Sequence, residues 1–161
     1  MVFHPEIVEP SSDFYERAPI IVRGRAEFDV PATRLWQEVE SFAWLPAVTA
    51  RWETPAPHGP GSRRRLTLGP LLLSNEFVTR TDPNREMAFF IGELPVPGMR
   101  AIAERLTIED LSPTRSAVTY TIAAAPTGFP TIRLAPLALL TNPIFSLALK
   151  VLIGRSLRAA A

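Results

Sequence analysis

The sequence predicts a single α+β domain, and three observations support this prediction. The chain has 161 residues, of which 47% are hydrophobic, so it can bury one substantial core. The middle of the chain consists of short segments with the apolar–polar alternation of β-strands, separated by turn residues. The C-terminal segment is instead mostly apolar, as in a buried helix. Strands grouped together, with helices segregated from them, are typical of the α+β class.

An irregular arm, residues 1–19, precedes the first predicted strand, residues 20–30. Charged and apolar residues alternate along this strand, so one face is buried and the other is solvated. A proline in the first helical turn and apolar residues four apart then predict a short helix over residues 31–40. A second short helix is predicted over residues 41–45, between a capping serine and a proline.

Apolar–polar alternation in the middle of the chain predicts further strands, which are joined by short turns. The segments between them contain Pro, Gly, Asn and Asp, which are the usual turn residues. Consecutive strands with short connections form an antiparallel meander. The predicted strands are residues 50–54, 63–68, 71–81, 86–94, 99–111 and 116–125.

A long helix over residues 142–159 ends the predicted fold, after a leading turn over residues 133–140. Residues 134–149 contain no charge, but a membrane span needs about 20 apolar residues, so a buried helix is the better interpretation. The predicted inward face consists of Ile144, Leu147, Ala148 and Val151, and it is widened by Phe145, Leu149, Leu152 and Ile153. The predicted solvent-facing line consists of Ser146, Lys150, Gly154 and Arg158.

Composition excludes several classes of function. The chain has no Cys, which excludes disulfides, thiolate metal sites and Cys nucleophiles. Its two histidines, His4 and His58, have no acidic cluster beside them, so no metal site is expected. No phosphate-binding loop or dinucleotide fingerprint is present, so no cofactor is expected. The net charge is +1, and the basic run at residues 63–65 alternates between the two faces of a strand, so no nucleic-acid partner is expected. The N-terminus lacks a secretion signal, which predicts a cytoplasmic location.

Five short segments match a known pattern in order along the chain: residues 28–36, 41–48 and 59–63, Glu76, and residues 81–85. The first is a strand that ends in a turn with a small residue and proline, followed by a short helix with Leu-Trp. The others are a Trp-x-Pro-type stretch, a Gly-rich turn, an acidic residue within a strand and a further turn. In this order they resemble the START-like helix-grip superfamily, and most closely its polyketide cyclase/dehydrase branch, over residues 20–159.

The resemblance implies a helix-grip fold, in which a curved antiparallel sheet of about seven strands wraps around the C-terminal helix. It also implies a hydrophobic cavity between sheet and helix. Members of the superfamily bind lipids, sterols, polyketides, quinones or plant hormones, and some are cyclases or aromatases. The expected organisation is an arm, residues 1–19, followed by one domain, residues 20–161.

Strand alternation predicts which polar residues face that cavity. Glu104 and Tyr120 are each in phase with the inward apolar residues of their strands, and Glu76 faces outward unless a bulge intervenes. A buried carboxylate is costly, so we expect Glu104 to be paired, with Arg64 as the candidate partner, or to have a raised pKa. The alternative is a purely structural ion pair, or a position in water at the cavity mouth. The predicted ligand contacts are Arg64, Asn75, Phe77, Phe89, Ile91, Glu93, Ile102, Leu106, Ile122, Leu147 and Val151.

Three functions are compatible with the sequence. The leading hypothesis is binding of a small hydrophobic ligand, of lipid, quinone or aromatic polyketide type, in the cavity. The second is a polyketide cyclase or dehydratase that uses Glu104 and Tyr120 as its catalytic acid/base residues. The third is a lipid-transfer or membrane-associated protein that docks through residues 134–149 without spanning the membrane. A homodimer contact on the same helix is the alternative to membrane docking.

Overall fold

The computed structural model describes residues 1–9, 11–128 and 135–159. Its elements in chain order are α1 (Phe14–Arg17), β1 (Ile20–Phe28), α2 (Ala32–Ser41), β2 (Val48–Trp52), β3 (Arg63–Leu68), β4 (Leu71–Asp82), β5 (Glu86–Glu93), β6 (Met99–Ser112), β7 (Arg115–Pro126) and α3 (Ala135–Ala159).

All seven strands belong to one antiparallel sheet with the order β1-β7-β6-β5-β4-β3-β2. Strands β2 to β7 are neighbours in sequence and in space, as a meander requires, and β1 closes onto β7. Register shifts in the β3–β4 and β4–β5 pairs mark bulges, which bend and twist a sheet. The curved sheet packs around α3, so the predicted helix-grip fold is confirmed.

Gly24 in β1 allows α3 to lie close against the sheet. A Cβ atom at this position would be 2.8 Å from Leu149 Cδ1 and 2.9 Å from Phe145 Cδ1. It would also be 3.1 Å from the backbone carbonyl carbon of Phe145, which cannot move away as a side chain can. The absence of a side chain at Gly24 therefore sets the distance between β1 and α3.

Three side chains of α3, spaced four residues apart, bind alternate backbone groups on the free edge of β1. Four helical residues advance by about 6 Å and two strand residues by about 6.6 Å, so the two spacings match. These contacts satisfy edge groups that would otherwise be open to another strand. The Arg23 amide donates to Asn142 Oδ1 at 2.8 Å, the Arg25 amide donates to Ser146 Oγ at 3.0 Å, and Lys150 Nζ donates to the Glu27 carbonyl.

The rotation of α3 differs from the predicted one. Leu147 and Val151, which we expected to contact a ligand, are exposed to solvent together with Ile144. Part of the predicted solvent line is not exposed, because Ser146 faces β1 and Gly154 is buried. Of the predicted inward face only Ala148 lines the cavity. The rest of the inward face consists of Phe145, Leu149, Leu152 and Ile153, which were predicted to widen that face. Apolar residues surround most of this helix, so periodicity alone could not choose a face.

Two further differences concern helix ends. A continuous helix runs from Ala135 through Pro143, where the sequence predicts a separate leading turn; residues 133 and 134 of that turn lie outside the described residues. After α2, residues 43–47 form turns in place of the second predicted helix. Phe42 ends α2 in the left-handed conformation (φ 56°), which is the usual backbone state at a helix C-terminus.

The N-terminal arm packs on the outer face of the sheet, away from α3. Val8, Tyr15 and Ala18 form a small second core with alanines of β6 and β7. Small side chains on those strands leave room for the arm. Phe3 pairs with Leu94 in an isolated bridge at the end of β5. No helix in the described ranges is long and apolar enough to cross a membrane.

Candidate functional site

A cavity of about 260 Å³ lies between the sheet and α3. This volume is slightly below the range of about 300–1,000 Å³ for typical small-molecule sites. The cavity therefore has room for a small ligand. Its walls are formed by Phe42, Trp44, Leu45, Leu66, Ser74, Glu76, Glu104, Tyr120, Ile122, Phe145, Ala148, Leu149 and Leu152.

Four aromatic side chains from three parts of the chain form one continuous wall. Phe42 and Trp44 follow α2, with ring centroids 5.7 Å apart. Tyr120 on β7 lies 6.3 Å from Trp44 in an edge-to-face arrangement, and 5.7 Å from Phe145 on α3. Aromatic pairs at these distances hold one another in place. Together the four rings form a mainly aromatic wall of the cavity.

Arg64 and Glu76 form a buried ion pair at the base of the cavity. The two residues are directly opposite each other on β3 and β4. Arg64 Nε and Nη2 both donate to Glu76 Oε2, at 2.8 Å and 2.5 Å, and Nη1 donates to the Glu40 carbonyl at 3.0 Å. The guanidinium also lies over the rings of Phe42 and Phe89, at 4.0 Å and 5.0 Å. Arg64 is thus held by three hydrogen bonds and by contacts with aromatic rings.

Burial raises the pKa of the Glu76 carboxyl above its ordinary value of 4.5, and the Arg64 guanidinium opposes that rise. An arginine side chain stays protonated in proteins, and here two of its N–H groups contact one Glu76 oxygen. We therefore assign the negative charge of this part of the cavity to Glu76.

Glu104 on β6 faces the same cavity without a cation of its own. Burial, reinforced by the nearby Glu76 carboxylate, raises the pKa of Glu104 to about 8, while Arg64 opposes the shift. Glu104 is therefore a neutral acid at pH 7. Tyr120 on the neighbouring strand donates its hydroxyl hydrogen to Glu104 Oε2.

The structure corrects the predicted partner of Arg64, which is Glu76 and not Glu104. It also reverses the predicted orientation of β4, because Ser74 and Glu76 line the cavity whereas Asn75 lies on the opposite face. Three apolar residues on that opposite face suggested the wrong orientation. Leu71 and Leu73 are exposed near the β3–β4 turn, and Phe77 stacks on Phe90 at 5.2 Å.

A bulge at Gly92 explains the position of Glu93. Asn75 pairs with Glu93 and the next residue, Glu76, pairs with Ile91, so one extra residue interrupts β5. The interruption turns Glu93 to the outer face, where it accepts hydrogen bonds from Asn75 and from Arg63. A Cβ at Gly92 would lie 2.5 Å from the Phe77 ring, so only glycine fits. Asn75, Phe77 and Glu93 therefore do not face the cavity.

The remaining predicted site residues fall into two groups. Glu104, Tyr120 and Ile122 line the cavity. The hydrophobic core around it contains Phe89, Ile91, Ile102 and Leu106.

Part of the cavity wall was not predicted from the sequence. Phe42, Trp44 and Leu45 belong to the Trp-x-Pro-type segment that contributed to the resemblance, which was a usable signal. Phe145, Ala148, Leu149 and Leu152 were predicted on the inward side of α3, but nothing in its apolar pattern marked them, in place of Leu147 and Val151, as ligand contacts. No group of three or more metal-binding side chains occurs in the part of the chain that the structure describes.

Comparison with protein-family models found no match, and no curated protein matches the chain. Solved structures do match. The crystal structure of Ara h 8.0201 has a TM-score of 0.61 at 12% identity, over 87% of this chain and 98% of that one. A START superfamily protein from Mycobacterium smegmatis has a TM-score of 0.60 at 16% identity, over 84% and 97% of the two chains. The Zhui aromatase/cyclase from Streptomyces sp. R1128 has a TM-score of 0.61 at 12% identity, over 88% and 96%. At these identities the likeness shows the fold, which is START-like.

Proposed function

We propose that this START-like helix-grip chain binds a small, neutral, mainly apolar ligand in the cavity between sheet and α3. The observation that carries the proposal is the buried Glu104 carboxyl, which lines a mainly aromatic and aliphatic cavity and is hydrogen-bonded to Tyr120. Such a cavity provides apolar contact area together with a few polar groups, as small-molecule sites commonly do.

The charges around the cavity favour a neutral ligand. Arg64 is neutralised by Glu76 and enclosed by aromatic rings, so it is not free to bind an anion. Glu104 is protonated at pH 7, so it offers no charge to a cation. An ion that entered would lose its hydration without a compensating partner. A ligand with a carbonyl or phenolic oxygen instead gains a hydrogen bond from Glu104.

Native mass spectrometry of the purified protein, followed by thermal-shift screening, tests this proposal. We expect lipids, quinones or aromatic polyketides to raise the unfolding temperature, and the neutral members of each class to do so most. Ala148→Phe should fill the cavity and remove the shift. Leu147→Phe adds a ring on the exposed side of the same helix and should leave the shift unchanged. Equal shifts in both variants, or no shift with any compound class, would contradict the proposal.

A second candidate function, acid catalysis on the bound ligand, is favoured by the pairing of Glu104 with Tyr120. An aldol-type cyclisation needs a proton donor at the acceptor carbonyl while a base removes a proton from the attacking carbon. Glu104 is protonated and so suits the donor role, and Tyr120 holds the carboxyl in place. Glu76, a second carboxyl that differs from Glu104 in being paired with Arg64, faces the same cavity, and two carboxyls in different environments are common in acid–base sites.

Glu104→Gln separates the two functions, because an amide still donates a hydrogen bond but cannot transfer a proton at neutral pH. If the chain is an enzyme, this variant binds the ligand and fails to convert a poly-β-ketone substrate. Conversion that survives Glu104→Gln unchanged would remove the catalytic role and leave the binding role intact.

A further inference from the structure

The outward face of α3 carries a straight row of large apolar side chains. Leu140, Ile144, Leu147 and Val151 are 69%, 69%, 64% and 41% exposed. Their spacing of four, three and four residues places them along one line of the helix, over about 16 Å. Soluble proteins rarely expose a continuous apolar patch without a partner, so this row requires an explanation.

The same line continues into two arginines. Arg155 and Arg158 are both exposed and follow Val151 on the same side of the helix. Among the described residues, neither has a carboxylate within ion-pair distance. Helix α3 contains no Asp or Glu, and its remaining cation, Lys150, is bound to the edge of β1. The row is therefore apolar over its first three turns and purely cationic at its end.

We propose that this outer row, Leu140, Ile144, Leu147, Val151, Arg155 and Arg158, docks on an anionic lipid surface. The apolar part enters the interface, and the two arginines lie at the level of the phosphate groups. A helix with an exposed apolar face, flanking cations and no acidic residue has the chemistry of an interfacial membrane helix.

The charge pattern argues against a second copy of this chain as the occupant. Parallel pairing of two outer rows would place arginine against arginine. Antiparallel pairing would place the arginines of each copy against Leu140 and Ile144 of the other, where α3 has no acid to receive them. Both arrangements desolvate cations without a partner, whereas lipid phosphates pair with them.

The outer row is separate from the ligand cavity. Cavity-lining residues of α3, such as Phe145 and Leu149, lie on the opposite side of the helix. Docking therefore leaves the cavity wall unchanged, and the two proposals can fail independently.

Flotation with lipid vesicles tests the docking proposal. We expect the protein to float with vesicles of phosphatidylcholine and phosphatidylglycerol at low salt, and much less at high salt or with phosphatidylcholine alone. Ile144→Ser with Leu147→Ser should weaken binding at least about tenfold, because two exposed apolar side chains are removed from the interface. Arg155→Gln and Arg158→Gln should each weaken binding to anionic vesicles about fivefold.

Leu71→Ser is the matched control, since Leu71 is also 64% exposed but lies at the β3–β4 turn. It should float like the wild type. All these positions are exposed, so each variant should unfold near the wild-type temperature. Absence of flotation with anionic vesicles would overturn the proposal, as would equal flotation of the Ile144/Leu147 variant. A dimer in solution that this variant dissociates would assign the row to a second copy instead.

Discussion

Glu76 and Glu104 face one cavity, but Arg64 forms its hydrogen bonds with Glu76 and not with Glu104. Arg64 contacts Glu76 directly and stabilises its negative charge. Burial and repulsion by the Glu76 carboxylate instead raise the pKa of Glu104. Because one arginine accompanies two carboxyls, the net charge of these three groups is zero only while Glu104 is protonated. This relation underlies both the predicted ligand chemistry and the pH dependence of stability.

Stability should fall as the pH rises from about 5 to about 8. The folded protein keeps the Glu104 proton up to a pKa of about 8, whereas the unfolded chain releases it near the ordinary value of 4.5. The contribution is complete below pH 4.5 and disappears as the pH passes through the folded pKa. Each pH unit in this window should remove about 1.4 kcal/mol from the free energy of unfolding. Urea denaturation at a series of pH values measures the slope.

Glu104→Gln supplies the reference for that slope, because glutamine does not titrate. As the pH rises, the free energy of unfolding of the wild type should decrease relative to that of the variant. Parallel pH profiles for the two proteins would show that Glu104 is already ionised in the folded state.

Loss of Arg64 should be far more damaging than loss of the whole Arg64–Glu76 pair. Arg64→Met leaves the Glu76 carboxyl buried without a cation, which should cost about 3–5 kcal/mol of stability. Arg64→Met combined with Glu76→Gln removes both charges and should recover most of that loss. A double-mutant cycle with Glu76→Gln alone measures the coupling. Additive effects of the two substitutions would mean that the pair does not interact.

Tyr120→Phe should raise the pKa of Glu104 further. The Tyr120 hydroxyl donates to a carboxyl oxygen, and a donated hydrogen bond favours the ionised form. Carbon-detected NMR titration of the Glu104 carboxyl in both proteins measures the change. A lower pKa in the variant would contradict the assigned direction of the hydrogen bond.

Gly24→Ala should destabilise the protein by about 1–3 kcal/mol, because the new Cβ would press against Phe145 and Leu149. Gly59→Ala is the matched control. A Cβ at Gly59 meets no atom within 4 Å and its backbone conformation suits any residue, so stability should change by less than about 1 kcal/mol. Chemical denaturation of both variants gives the comparison; equal effects would mean that α3 does not rest on Gly24.

The sequence predicted the fold because its elements are marked by strong local signals. Strand alternation and turn residues gave the meander, and an apolar C-terminal segment gave the terminal helix. Glu104 and Tyr120 were also placed on the inner faces of their strands, since regular alternation continues through that part of β6 and β7.

The sequence could not predict features that depend on contacts between elements. Both faces of β4 carry apolar residues, so alternation predicted that the face of Phe77, and not that of Glu76, points into the cavity. The extra residue at Gly92 is visible only in the pairing of β4 with β5. The rotation of α3 depends on its contact with Gly24 and on the polar side chains that bind β1.

The pH dependence of ligand affinity tests the central claim most directly. Isothermal titration with a neutral quinone or aromatic ketone, from about pH 6 to about pH 9, measures it in wild type and in Glu104→Gln. Wild-type affinity should be constant up to the Glu104 pKa of about 8 and then fall about tenfold per pH unit, because the ionised carboxyl cannot donate. Affinity of the glutamine variant should not change over this range. A wild-type affinity that is independent of pH, or that increases above pH 8, would contradict a protonated Glu104 as the ligand's hydrogen-bond donor.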